Sequence, residues 1–279
     1  MLENFVFENH LGQRFEGLAN GVYLRSNDLR NYAWDYDTIN NRISRFFRSV
    51  TQRKLPLTVC CGSKEEANEV KNRLLDLAEA DIAAVLPGKV YVGDYYTTGY
   101  ITESKKSNYR IHGRYCDIDL VLTSAAPTWN RETLYSFNGS NVTGPGGGNA
   151  TAGLDYPFDY KYDYTTSTTT KQIAADSVRN SNFRLRIYGE ATDPAIMING
   201  HAYRVYGRIR PGETLVIDSL NKTIILSTET GSKVNWFANR DRQSYIFEPI
   251  PAGMNSVLYN GAFKFDLTVI EERSEPRWT

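Results

Sequence analysis

Phe183-Arg184-Leu185-Arg186-Ile187-Tyr188 alternates apolar with polar or amphipathic side chains. In an extended strand that period of two puts Phe183, Leu185 and Ile187 on one face and Arg184, Arg186 and Tyr188 on the other. The pattern continues downstream in short pieces. Ala195 to Ile198 stops at Asn199-Gly200, Leu215-Val216-Ile217 follows the turn signal Pro211-Gly212, and Ile224-Ile225-Leu226 follows a polar break at Asn221. Tyr245-Ile246-Phe247 runs into Pro249-Ile250-Pro251-Ala252-Gly253, and Phe263, Phe265, Leu267 and Val269 close the series. Short, evenly spaced strands separated by Gly, Pro and Asn predict an antiparallel sandwich or barrel. The tract ends on the charged tail Glu271 to Trp278. Terminal segments fray unless something holds them, so Trp278 is expected to pack on its own protein or on a neighbour.

Composition narrows what such a chain can be. Its 279 residues suit one large or two medium domains, and 41% apolar residues suffice for a real core. Lys plus Arg and Asp plus Glu balance at 32 each, so the chain lacks the basic excess that drives nonspecific nucleic-acid binding. Tyr is abundant at 19, a composition that suits β structure and polar contact surfaces. The opening Met1-Leu2-Glu3-Asn4-Phe5 has no basic region followed by an apolar run, which argues against a cleaved secretory signal and for folding in a cytosol. No apolar stretch reaches the roughly 20 residues of a membrane helix. Cys60, Cys61 and Cys116 lack CxxC spacing and a clustered His, and are expected as buried strand residues.

Upstream, strands again dominate. Phe5 and Phe7 open a short strand, Gly21 to Leu24 starts a second, and Tyr32, Trp34 and Tyr36 recur at period two. Ile43 to Val50 is a basic and aromatic stretch, with Arg42, Arg45, Arg48 and Arg53 set among Phe46 and Phe47. Nucleic-acid binding has to be weighed, but without net positive charge or a binding motif it reads as a strand with one solvated or partner-facing side. Leu55 to Cys61 is a strand whose early Pro56 fits a strand start or an edge. One helix follows. Ser63 with Glu66 forms a capping box, and Ala67, Val70, Leu74, Leu77 and Ala78 recur at three and four over about four turns. Val90 to Tyr96, Tyr100 to Thr102 and Tyr109 to Thr123 are strands, with Lys105 to Asn108 as a turn. Ser124-Ala125-Ala126-Pro127 sets a domain boundary, giving a β-rich α+β domain at 1–127 and a β-sandwich at 128–279.

The stretch 138–153 is rich in Gly and Asn and has neither a P-loop lysine nor GxGxxG spacing, so it reads as a loop. Tyr156, Phe158, Tyr160, Tyr162 and Tyr164 are spaced by two and would line one strand face, suited to a core, a subunit contact or sugar stacking. Thr165 to Thr170 continues as a polar linker. No catalytic motif emerges. His10, His112 and His201 are scattered, no GxSxG or HExxH occurs, and neither Asp117-Ile118-Asp119 nor the Asp155, Asp159, Asp163 series has the Gly turn and terminal Glu of an EF-hand. Neither a cofactor nor a metal is expected.

Four C-terminal blocks are similar to the distal tail proteins of siphophages and prophages of Gram-positive hosts. They are Phe183 to Gly189, Pro194 to His201, Ser244 to Gly253 and Glu271 to Trp278. Leu29 to Tyr36 and Val92 to Tyr96 resemble first-domain blocks of the same family. The insert at 138–153 departs from the family's shorter linker. The resemblance implies a non-enzymatic homo-hexameric ring at the virion tail tip, made in the host bacterial cytoplasm. The N-terminal domain would build the ring and its channel, and the C-terminal domain would be a galectin-like β-sandwich. The ring would join the tail tube protein to the tail-associated fibre or lysin protein, with DNA passing through the lumen without specific binding. A ring needs head-to-tail contacts. Arg42, Arg45, Phe46, Phe47, Arg48, Tyr95 and Tyr96 are the candidate subunit-contact residues. The alternative function is that of a module binding host cell-wall glycans through the aromatic face.

Overall fold

Burial alternates along most strands of the computed structural model, which describes residues 4–139 and 169–278. The chain forms two units, Met1–Arg131 with Glu272–Thr279, and Glu132–Glu271. The sequence boundary at 127 lies a few residues from the first crossing, while the residues from Glu272 count with the first unit rather than the second.

In the first unit the strands are β1 (Val6–Glu8), β2 (Arg14–Glu16), β3 (Val22–Leu24), β4 (Asp35–Ile39), β5 (Arg42–Phe47) and β6 (Thr51–Cys60). Helix α1 (Lys64–Ala84) follows, then β7 (Gly88–Val92), β8 (Tyr95–Arg110), β9 (Tyr115–Ser124) and β10 (Trp129–Phe137), which runs on into the second unit. Ser63 Oγ accepts the Glu66 amide at 3.0 Å, so Ser63 caps the helix as expected, while the Glu66 carboxylate reaches back one residue beyond the N-cap and accepts the Gly62 amide at 2.9 Å. The five predicted apolar positions of α1 are all buried, and the 21-residue helix is longer than the four turns expected.

Strand β8 has 16 residues and changes partner along its length. It pairs with β7 up to Gly88↔Gly99 and with β9 from Tyr100↔Thr123. Gly99 marks the change. A Cβ there would lie 2.7 Å from both the Thr123 carbonyl oxygen and Ser124 Oγ, so only glycine lets the strands approach. Lys105 to Asn108, expected as a turn, is part of β8, and the chain reverses later at Ile111–Gly113. The register with β9 carries those residues past the apolar–polar alternation that sequence punctuation would suggest. Cys61 and Cys116 are buried as expected, whereas Cys60, at the end of β6, is exposed because it falls on the outer face of the alternation.

On β9, Ile118, Leu120 and Leu122 point into the core and Asp117 points out of it. The Asp117 carboxylate accepts from Thr58 Oγ1 at 2.7 Å, Asn108 Nδ2 at 2.8 Å and the Tyr115 hydroxyl at 3.3 Å. Led by the Asn108 bond, these hold its pKa below the usual carboxylate range. A carboxyl with a depressed folded pKa stabilises the fold above its unfolded value of about 3.9 and loses that contribution as pH falls through the folded value. Asp117→Asn is therefore expected to lower Tm at pH 7, with the gap to wild type narrowing as pH falls below the unfolded value of about 3.9 toward the lower folded one. Thermal scans across that pH range check this, and a constant gap would contradict it.

The second unit comprises β11 (Thr169–Ala175), β12 (Asn182–Tyr188), β13 (Ala191–Thr192), β14 (Ala195–Ile198), β15 (His201–Arg204), β16 (Arg208–Ile209) and β17 (Thr214–Asp218). It continues through β18 (Thr223–Ser227), β19 (Lys233–Asn235), β20 (Gly253–Tyr259) and β21 (Lys264–Arg273), the last leading back to the first unit. One sheet has the order β19-β18-β17-β12-β21-β10 and the other β11-β20-β14-β15. Leu185, Ile187, Leu215 and Leu267 of the first share one core with Ile173, Ile196, Val257 and Tyr259 of the second, which makes a sandwich. Two segments differ from expectation. Tyr245-Ile246-Phe247 is turn rather than strand, although Ile246 and Phe247 still bury. The expected linker at 165–170 overlaps β11, whose pairing with β20 outweighs its Thr-rich polarity.

Candidate functional site

Asn40 and Asn41 both adopt left-handed backbone, with φ of 49° and 59°. Asn tolerates that region, and a two-residue loop of this kind matches the twist of a hairpin. Strands β4 and β5 therefore pair as Tyr36↔Phe46 and Asp37↔Arg45, then shift register to Thr38↔Ile43 and Ile39↔Arg42. They make a two-stranded sheet of their own. All residues of both strands are exposed except Phe47, which is half-buried. Tyr36, Ile39, Ile43 and Phe46 are 59%, 64%, 54% and 58% exposed. Trp34 and Tyr36 meet Phe46 edge-on at 6.4 and 6.5 Å, forming an aromatic patch on one face. On the other, the Arg45 guanidinium lies 5.3 Å from the Phe47 ring centre. A two-stranded hairpin is marginal in water by itself, and this one shows solvent four large apolar side chains.

Its base, in contrast, is anchored. The Arg48 guanidinium stacks 4.1 Å from the Trp34 ring centre and donates to the Pro127 carbonyl at 3.3 Å and to Ser274 Oγ at 2.6 Å. Arg30 donates to the Pro276 carbonyl at 3.0 Å and lies 4.0 Å over the Trp278 ring. The C-terminal tail is thus gripped by two arginines that flank the hairpin. Trp278 packs against Arg30 on one face yet stays 74% exposed.

The candidate contact residues separate into two groups. Arg42, Arg45, Phe46, Phe47 and Arg48 come together on the hairpin and its base. Tyr95 and Tyr96 are only 5% and 8% exposed, their rings engaged by Arg131 and by Tyr91 and Lys89, and they offer a neighbour little surface. The sequence reading did not single out Ile39, and it paired Ile43 with no partner strand. The signal that could have found the hairpin is Asn40-Asn41 between two aromatic, β-prone stretches. A second, partly apolar surface of the same unit is a groove between α1 and strands β8 and β9, where Leu75, Ile82 and Ile101 meet the charged Lys71, Glu79, Glu103 and Lys106. Leu75 and Ile82 are 42% and 48% exposed there.

The remaining candidates show structural engagement. Arg25 ties to Asp119 at 2.8 Å, beside the hydrogen-bonded Asp117. His10 Nδ1 is 2.7 Å from the buried Asp81 carboxylate, and His201 Nε2 is 2.9 Å from the Tyr245 carbonyl oxygen. Among the described residues no group of three or more His, Cys, Asp or Glu could hold a metal ion, and no helix is long and apolar enough to cross a membrane. Tyr156, Phe158, Tyr160, Tyr162 and Tyr164, the Asp155, Asp159, Asp163 series and all but the start of the 138–153 loop lie outside the described residues.

Among the described residues, two mainly antiparallel β units with one α-helix make up a fold similar to that of phage tail hub and baseplate proteins. The SPP1 Dit (gp 19.1) protein, described as a paradigm of the hub adsorption apparatus in phages infecting Gram-positive hosts, superposes with a TM-score of 0.56 at 11% identity. That match covers 96% of this chain and 99% of the other. A chain of the phage P2 baseplate in its activated conformation with Ca gives a TM-score of 0.61 at 13% identity, and one with Sr gives 0.61 at 12%. Both cover 99% of this chain and 100% of theirs. No protein-family model and no curated protein sequence matches the chain.

Proposed function

We propose that this chain is a distal tail protein, a non-enzymatic hub that forms a six-subunit ring at the tip of a phage tail. The ring joins the tail tube to the tail-associated fibre or lysin protein, and DNA crosses its lumen. The observation that carries this reading is a fold shared over nearly the whole length with an SPP1 hub protein and with P2 baseplate chains. The hairpin supports it from the chain itself. A ring closes through two different patches on each subunit, one fitting the other. Arg42, Arg45, Phe46, Phe47 and Arg48, with Tyr36, Ile39 and Ile43, supply the projecting patch. The groove between α1 and strands β8 and β9 offers a partly apolar surface to receive it. The galectin-like sandwich is then the second unit. A formal net charge of zero suits a conduit that must release DNA rather than hold it.

The experiment is electron microscopy of the purified protein viewed down its symmetry axis, with light scattering for mass. Six-fold rings are expected. A strictly monomeric protein at high concentration, with no rings in the images, overturns the proposal.

A further inference from the structure

Arg53 is the one Lys or Arg among the described residues that is fully buried, at 2% exposed. The alternation of β6 puts it on the inward face with Leu55, Leu57 and Val59. A guanidinium stays protonated in a protein, so burial cannot silence its charge. It needs acceptors for its N–H groups and an opposite charge nearby, because an uncompensated buried ion is strongly destabilising. Arg53 has little of either. Its Nη2 donates to the Pro127 carbonyl at 3.1 Å, while Nε–H and Nη1–H meet no acceptor, and it makes no ion pair. The neighbouring charge has the same sign. Arg48 donates to that same carbonyl at 3.3 Å.

The surroundings are rich in donors that lack acceptors. The Arg53 guanidinium lies 5.9 Å from the centre of the Trp129 ring, and the fully buried Trp129 has an unpaired indole N–H. The pairing Asn130↔Tyr96 sets Trp129 beside Thr97 on the adjacent strand. Thr97 is completely buried with an unpaired hydroxyl, and Tyr95, two residues along on the same face, is likewise buried and unpaired at its hydroxyl. Hydroxyls can turn to donate, so the Trp129 indole near Arg53 and the Thr97 hydroxyl on the strand opposite Trp129 are donors at the same end of the core as this uncompensated charge.

We propose that this spot binds a monatomic anion, chloride in ordinary salt buffer, held by Nε and Nη1 of Arg53 with the Trp129 indole N–H. A water molecule would accept these hydrogen bonds and leave the charge uncompensated, whereas a halide does both. The burial of Arg53, Thr97 and Trp129 favours one spherical ion over a tetrahedral oxyanion, which needs more room and more donors.

Two measurements on the full chain test this. In crystals grown or soaked with bromide, an anomalous peak is expected within hydrogen-bond distance of Arg53 Nε and Nη1. In thermal scans, sodium chloride is expected to raise Tm by about 3 °C or more over sodium gluconate at equal ionic strength, since a ligand bound only to the folded state stabilises it. Arg53→Met, which replaces the buried charge with an apolar chain, is expected to abolish both effects. The absence of a bromide peak overturns the proposal, and so does a halide-independent Tm. A peak that persists in Arg53→Met marks an adventitious ion only and also overturns it. The wild-type bromide map decides the matter even where the variant fails to fold.

Discussion

Phe46→Asp combined with Tyr36→Ser is expected to leave the protein monomeric at concentrations where the wild type forms rings. These two side chains face each other across the hairpin and are 58% and 59% exposed, so they contribute little to their own unit. Surface substitutions of this kind change folding stability by about 0.5 kcal/mol or less. If the hairpin is the contact of the proposed ring, the same positions become buried there, and an aspartate is an unpaired charge in an apolar contact. Aromatic anchors at the centre of an interface commonly account for about 2–4 kcal/mol each, or roughly 30- to 1,000-fold in dissociation constant. Because every ring contact is the same contact repeated, one substitution weakens all of them together. Sedimentation velocity across a concentration series reads the assembly, and a thermal scan reads the fold. A wild-type ring at unchanged Tm would rule out the hairpin as the contact. Ile82→Asp in the groove gives the reciprocal result if the groove receives the hairpin, and leaves rings intact if another surface does.

The second large effect concerns stability. Phe265→Ala is expected to destabilise the second unit by about 3–5 kcal/mol, the range found when buried aromatic rings are truncated. Phe265 is fully buried and stacks on Phe137 at 4.4 Å with the planes 8° apart. Tyr259 meets it edge-on at 4.9 Å and Phe263 lies at 5.8 Å. Truncation removes the apolar burial of the ring, breaks these aromatic contacts and leaves a cavity that neighbouring strands cannot close without leaving their ladders. A fall in Tm of roughly 10 °C is expected for a unit of this size. Met254→Ala is the control, because Met254 is 64% exposed and its loss should move Tm very little. Calorimetry separates the two. A Phe265→Ala protein that melts with wild type would show that this cluster is not central to the sandwich.

Periodicity made the fold largely legible. The inward triad Phe183, Leu185 and Ile187, the closing series Phe263 to Val269 and the five apolar positions of α1 all bury. Their local spacing and their tertiary environment point the same way. Failures occur where pairing overrides local chemistry. Lys105, Lys106 and Ser107 are held in a ladder by β9, with Asn108 turning left-handed at the register shift that follows, and Thr169 joins a ladder with Tyr259. Tyr245 to Phe247 reads as strand from composition but has no ladder to join, and buries its apolar side chains from a turn. The hairpin was half visible. Its Arg and aromatic residues were identifiable, but their near-complete exposure was not, since alternation alone does not say which face, if either, meets a core. Arg53 reads in sequence as one more arginine of the basic stretch, whereas β6 turns it inward; its significance and that of Trp129 depend on which donors lack acceptors in three dimensions.

The chain enters the second unit along β10 and leaves it along β21, and these strands are neighbours in one sheet. A unit whose entrance and exit lie side by side can be exchanged as a cassette. The same arrangement fixes an order in time. Ser274 and Pro276 must be synthesised before Arg48 and Arg30 can grip them, so the base of the hairpin gains its clamp only after the whole second unit has been translated. A nascent chain therefore carries its hairpin without this support until residues beyond the second unit have emerged.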